Sequence, residues 1–238
     1  MNVLLNIMNK EELISTLYAS IKSAKEQRLH IKNSPESLAG YQALRNFQIK
    51  RLATTHSDLL ASPSTSKAAH FFLEEIYGNK DLTQRDKELE RFVPMIEKLF
   101  PLNTLEVITK SMILDSLTEL LDAKMVQALG SSFDEAAYIE VFREKTSQEE
   151  RLKQLKLLQE IGSSLCYLVQ IPFLATTLKM MTIPAKIAGL SSLHEFLYKG
   201  FYTFKETYQP QKFVDTLIQR ETQIFNNIYS KKEKPFLI

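Results

Sequence analysis

The densest chemistry in the chain lies in the run Phe71-Phe72-Leu73-Glu74-Glu75-Ile76-Tyr77-Gly78, followed by Asp81-Leu82-Thr83-Gln84-Arg85-Asp86 and then Arg91. Aromatic side chains end one helix, Gly78 turns the chain in a left-handed stop, and charges of both signs crowd the first turns of the next helix. Arg85 has five donors in a fixed fork and can clamp a carboxylate: that of Glu74, of Asp81, or of a ligand. Asp86 sits near a helix N-terminus, where negative charge is favourable. The residues support two readings. One is a clamp that fixes two helices; the other is a ligand site built from Tyr77, Asp81, Arg85, Asp86 and Arg91. His194, among Leu193, Phe196, Leu197 and Phe201, is a second candidate. It could be a haem or ligand histidine, or simply a packed and hydrogen-bonded one.

The remaining reactive residues form no recognised catalytic pattern. None of His30, His56, His70 and His194 lies three residues after a Glu, and no His-Glu-x-x-His run occurs. His70 and Glu74 have helical spacing, which is ordinary for a surface pair. The one cysteine, Cys166, stands in an apolar run without a charged neighbour, so it reads as a small apolar core residue. There is no nucleophile elbow, and the six glycines are scattered singly rather than grouped as a phosphate loop. The sequence therefore implies no cofactor and no metal.

Scarce turn residues, 6 Gly and 8 Pro in 238 residues, call for long elements and few connections. The pattern predicts an all-α fold: an irregular or orthogonal bundle of about eight to ten helices in a single domain over residues 1–238. Asn9 with Glu12 has capping-box spacing and opens a helix to about Ile31. Ser34-Pro35 opens a second that stops before Pro63. A third runs from about Ser66 to Tyr77. Thr83 caps a fourth, with a kink or break at Pro94. Asn103 with Glu106 starts a long fifth ending at Gly130, Ser132 with Glu135 caps a sixth, and Ser147 with Glu150 a seventh. Beyond Pro172 the expectation is a short helix before Pro184, another near Ser191–Tyr208 and a last near Gln211–Tyr229. The tail from Lys231 should fray.

Charge is uneven along the chain. Residues 106–150 hold 4 Lys/Arg against 10 Asp/Glu, whereas residues 151–238 hold 12 against 6. Two halves of opposite sign are expected to pack together or to present oppositely charged faces. Lys and Arg alternate with acids rather than forming a stripe, which argues against nucleic acid. The uncharged stretch from Ile161 to Leu178 carries several polar residues and Pro172, which suits buried helices better than a transmembrane span. The lone cysteine and an N-terminus without a basic region fit a soluble cytoplasmic protein.

The run FFLEEIYG-x-x-DL-x-x-RD, with Leu89, Arg91, Pro94 and Leu99-Phe100-Pro101, resembles a family of uncharacterised bacterial all-helical proteins sharing the phrase FF-x-x-x-[LI]-YG-x-x-D-[FL]-x-x-RD. The stretch Ile183 to Leu190, Glu195-Phe196-Leu197 and Gly200-Phe201 is similar to its C-terminal part. The resemblance spans about Tyr41 to Phe225, with Leu82 where an aromatic is usual. It implies a soluble, helical, bacterial protein and brings no activity with it. The leading expectation is a non-catalytic protein that binds a partner protein or an apolar small molecule between helices. The apolar region Ile161–Phe204 would supply the pocket or interface, and self-association into a homo-oligomer is compatible with this. One alternative is an enzyme or haem/metal binder using the Tyr77–Arg91 cluster or His194. Another is association with an anionic membrane surface through the basic C-terminal half.

Overall fold

A computed structural model describes residues 9–76, 78, 82–99 and 102–238. Tyr77 and Asp81 lie outside the described residues, as does the N-terminal segment 1–8. Among the described residues there are twelve α-helices, one π-helical segment and no strand. The architecture is an all-α multi-helix bundle.

Helix α1 (Lys10–Lys32) opens with the expected capping box: the Asn9 side chain accepts from the Glu12 N–H at 2.9 Å, and Glu12 accepts from the Asn9 N–H at 2.8 Å. Helix α2 (Pro35–Thr55) is capped by Ser34 with proline in its first turn. It ends at His56 rather than running to Pro63, and a short α3 (Ser57–Ala61) follows. Helix α4 (Ser66–Phe71) passes into a π segment over Phe72–Ile76. Through this change of winding, two consecutive aromatics both find ring partners: Phe71 packs on Phe196, and Phe72 on Phe204 and Phe213. Gly78 is required for proximity: a Cβ there would lie 2.1 Å from the Glu74 carbonyl oxygen. The left-handed glycines are instead Gly130 and Gly189.

Helix α5 (Thr83–Leu99) continues through Pro94 without a break. Helix α6 (Leu102–Leu129) is the central element. Its buried residues fall around most of its circumference, and it packs most extensively on α1 and also against α2, α7 and α8. Helix α7 (Glu135–Lys145) is capped by Asp134, whose side chain accepts from the Ala137 N–H at 2.9 Å, and not by Ser132. Helix α8 (Gln148–Leu168) opens with the expected Ser147/Glu150 box. Two short helices follow, α9 (Leu174–Met180) and α10 (Thr182–Ile187), with Pro184 inside the first turn of α10. Helices α11 (Ser191–Glu206) and α12 (Pro210–Tyr229) complete the bundle.

Three apolar cores hold these elements. One joins α1, α5, α6 and Leu193; a second joins α4, α8, α11 and α12; the third joins α2, α6 and α7. The end of the tail, expected to fray, returns to the bundle. Pro235 is buried, its carbonyl accepts from Asn227 Nδ2 at 3.0 Å, and Phe236 packs on Phe47 and Tyr138 of the third core.

The two oppositely charged stretches do not simply neutralise one another. Lys110–Glu160 and Lys124–Glu150 link α6 to α8 and its cap region. The buried acids of α6, however, find their cations on α1, α2 and α5, before residue 106. No helix among the described residues is long and apolar enough to cross a membrane.

Candidate functional site

Where α1, α2 and α5 meet α6, three arginines and four carboxylates are brought together. Arg28 donates to Asp86 from Nε at 2.9 Å and from Nη2 at 3.2 Å, to Asp115 at 2.7 Å, and to Glu119 at 3.0 Å. Arg45 reaches Glu119 at 3.2 Å and lies 3.1 Å from Asp122. The Tyr41 hydroxyl donates to Glu119 at 3.2 Å, and Gln48 donates to Asp122 at 3.0 Å. The spacing explains the meeting. Asp115, Glu119 and Asp122 occupy one face of α6 at i, i+4 and i+7, and Tyr41, Arg45 and Gln48 occupy one face of α2 at the same intervals.

Burial opposes charge on Arg28 and Arg45, but the facing carboxylates outweigh it and raise both guanidinium pKa values. For Glu119 burial wins: its carboxyl is raised despite Arg45 and Arg28. Burial likewise pushes the Tyr41 phenol up. Most of these carboxylate oxygens accept a hydrogen bond from within the network, whereas the buried Asp122 Oδ2 accepts none and lies 3.1 Å from Arg45 Nε as an ion pair. Among the described residues, no group of His, Cys, Asp and Glu has the arrangement to hold a metal ion.

Two of the sequence candidates enter this network. Arg85 lies 3.4 Å from Asp86 and 3.6 Å from Asp115, with its guanidinium over the Phe196 ring. Among the described residues its carboxylate partners are Asp86 and Asp115, while Glu74 pairs with His70 at 3.6 Å. Asp86 is buried and grips Arg28.

The other two described candidates lie elsewhere. Arg91 is exposed on α5 and donates to the Gly189 carbonyl at 2.7 Å, at the turn between α10 and α11. The His194 Nε2 lies 2.8 Å from the Leu178 carbonyl, to which it donates, at the end of α9, and its ring packs against Tyr198. Arg91 and His194 therefore pin the α9–α10 segment to the body at two points, and Tyr202 adds a bond to the Ala175 carbonyl at 3.4 Å.

What they pin is unusual. The four most exposed large apolar side chains of the described residues all belong to this segment and its entry: Phe173 at 82%, Met180 at 73%, Ile183 at 70% and Ile187 at 83%. Leu174, Ala175 and Leu178 face inward onto the second core, so the segment is docked and not merely loose. Phe173 enters α9 with φ 67°, a left-handed conformation that a bulky residue adopts only at a cost in strain. An open depression of about 700 Å3 runs along α8 and the start of α12, lined by Ser163, Cys166, Tyr167 and Lys212 among others. Burial, with a smaller effect of Asp215, raises the Cys166 thiol.

Two further buried polar contacts were not foreseen from sequence. Glu88 of α5 accepts from the Leu193 N–H at 2.8 Å and caps α11, whose own N-terminal residue Leu190 offers no acceptor. Burial would raise Glu88, but the Leu193 N–H, with hydrogen bonds from Gln84 and Ser192, outweighs it and lowers its pKa. Glu221 of α12 bonds Arg51 at 2.6 Å and His56 at 2.9 Å where α2 ends.

No curated protein and no solved structure matches the chain. A family model described as a domain of unknown function, DUF8198, matches residues 27–235, which takes in the whole charge network and the α9–α10 segment. The chain belongs to this family, DUF8198.

Proposed function

We propose that this protein is a non-catalytic, cytoplasmic bacterial docking protein whose working surface is the exposed apolar segment from Phe173 to Ile187. The single observation that carries the reading is the concentration of the most exposed Phe, Met and Ile side chains on two short helices that are themselves firmly docked. Exposed apolar area costs solubility and is retained where something covers it. The Arg28–Arg45–Arg85 network has the opposite character: charges paired on one another inside the bundle, suited to fixing helix register rather than to turnover. Arg91 and His194, read from sequence as ligand residues, act here as positioning residues for the docking surface. The lone cysteine in an apolar core and the family resemblance support the assigned compartment and source.

Binding of the neutral dye Nile red to the folded protein tests this reading. The wild type should enhance dye fluorescence, and Ile183→Ser/Ile187→Ser should lose most of the enhancement with an unchanged far-UV spectrum. A wild type that leaves the dye dark would remove the basis for a docking surface.

A further inference from the structure

The chemistry around the docking segment narrows what covers it. Between Glu160 and Glu195 the chain contains no Asp or Glu, and its only charges are Lys179 and Lys186. Both lysines are exposed, on the same two helices as Met180, Ile183 and Ile187. Arg91, tied to Gly189 just beyond α10, adds a third cation at the edge. A surface that combines projecting apolar side chains with lysines, and excludes acids from the intervening chain, is complementary to a layer that is apolar below and anionic above.

Shape points the same way. Side chains exposed to 70% or more project from the protein instead of lining a groove. A protein partner would need a matching cavity for each of Phe173, Ile183 and Ile187. The boundary between lipid headgroups and acyl chains accepts such side chains without one. The left-handed backbone at Phe173 fits this role, because the strain is spent holding an aromatic outward in water, where it gains nothing for the fold.

Building on the docking reading above, we propose that α9 and α10 form an interfacial membrane-binding element that lies on an anionic lipid surface, with Phe173, Met180, Ile183 and Ile187 entering the acyl boundary and Lys179 and Lys186 meeting the phosphate headgroups. The remainder of the bundle stays in water.

Vesicle flotation of the full-length protein tests this. The protein should float with phosphatidylcholine vesicles containing about 30% phosphatidylglycerol and remain behind with pure phosphatidylcholine. Binding should fall steeply when NaCl is raised to about 0.5 M. Lys179→Glu/Lys186→Glu should weaken binding about tenfold or more. Ile183→Ser/Ile187→Ser should abolish it, and both variants should keep the wild-type melting profile because the changed residues are exposed. Equal flotation with neutral and anionic vesicles would overturn the headgroup assignment. Failure to float with either, in a protein that still lights Nile red, would overturn the membrane proposal and turn the docking surface to a protein partner or a second copy. Failure in both assays would remove the docking reading as well.

Discussion

Arg45 of α2 and Glu119 of α6 meet at 3.2 Å with side chains only 5% and 2% exposed, although 74 residues separate them in the chain. Neither charge could sit at that depth alone; each is tolerated because the other, with Arg28, Asp122 and Tyr41, surrounds it. The pair fixes how α2 lies on α6, and α6 is the helix on which the first and third cores are built. The consequences can be measured one residue at a time.

Replacing Arg45 with Met keeps much of the volume but leaves Glu119 and Asp122 without their shared cation. Stranding buried charges in this way costs about 3–5 kcal/mol, read as a lower denaturation midpoint in urea. A loss below about 1 kcal/mol would mean that the network does not hold the bundle.

Arg85 occupies the outer edge of the same network, at longer distances from Asp86 and Asp115. Arg85→Ala should destabilise by about 1–3 kcal/mol, less than Arg45→Met. Stability unchanged within about 0.5 kcal/mol would dismiss the clamp and return Arg85 to consideration as a ligand group.

At the far end of α2, burial alone would raise the Glu221 carboxyl, but Arg51 and His56 outweigh it and hold its pKa at about 2. A carboxyl depressed on folding stabilises the native state above its unfolded pKa, and that stabilisation is lost as pH falls toward the folded value. The contribution is on the order of 3 kcal/mol at neutral pH and should disappear between about pH 5 and pH 2. Urea titrations of wild type and Glu221→Gln should therefore differ at pH 7 and converge near pH 2. Parallel curves across the range would show that Glu221 is not coupled to Arg51 and His56.

How much of this was legible beforehand varies with the range of the interaction. The capping boxes at Asn9 and Ser147 are local, and both form. At the start of α7, Ser132 and Asp134 are two plausible caps two residues apart, and the extended backbone at Asp134 decides between them. Pro94 reads as a kink or break, and α5 runs through it without a break, because its packing on α1 and α11 outweighs one missing hydrogen bond. For the site, Arg85 and Asp86 were visible as a charged pair, but their partners Arg28 and Asp115 lie on other helices and no local rule finds them. A polar signal was nonetheless present in the i, i+4, i+7 triplets Tyr41-Arg45-Gln48 and Asp115-Glu119-Asp122. The apolar character of the region around α9 and α10 was also plain. Which of its side chains turn outward was not, since that depends on how two short helices settle on α11.

The C-terminus makes the same point in a form that can be tested. A lysine-rich end with proline reads as frayed, but Phe236 packs against Phe47 and Tyr138, with Arg51 above its ring. Phe236→Ala should cost about 2 kcal/mol, because an aromatic contact in a half-buried position is lost. A wild-type melt in this variant would show that the tail does not contribute to the third core.

The central claim is that the apolar side chains of α9 and α10 serve a surface and not the fold. Equilibrium urea unfolding of Ile183→Ser/Ile187→Ser tests it most directly. Side chains already exposed in the native state lose little transfer energy on truncation, so the predicted stability lies within about 0.5 kcal/mol of wild type. A loss of about 2 kcal/mol or more would show that these residues are packed in solution and would contradict the claim.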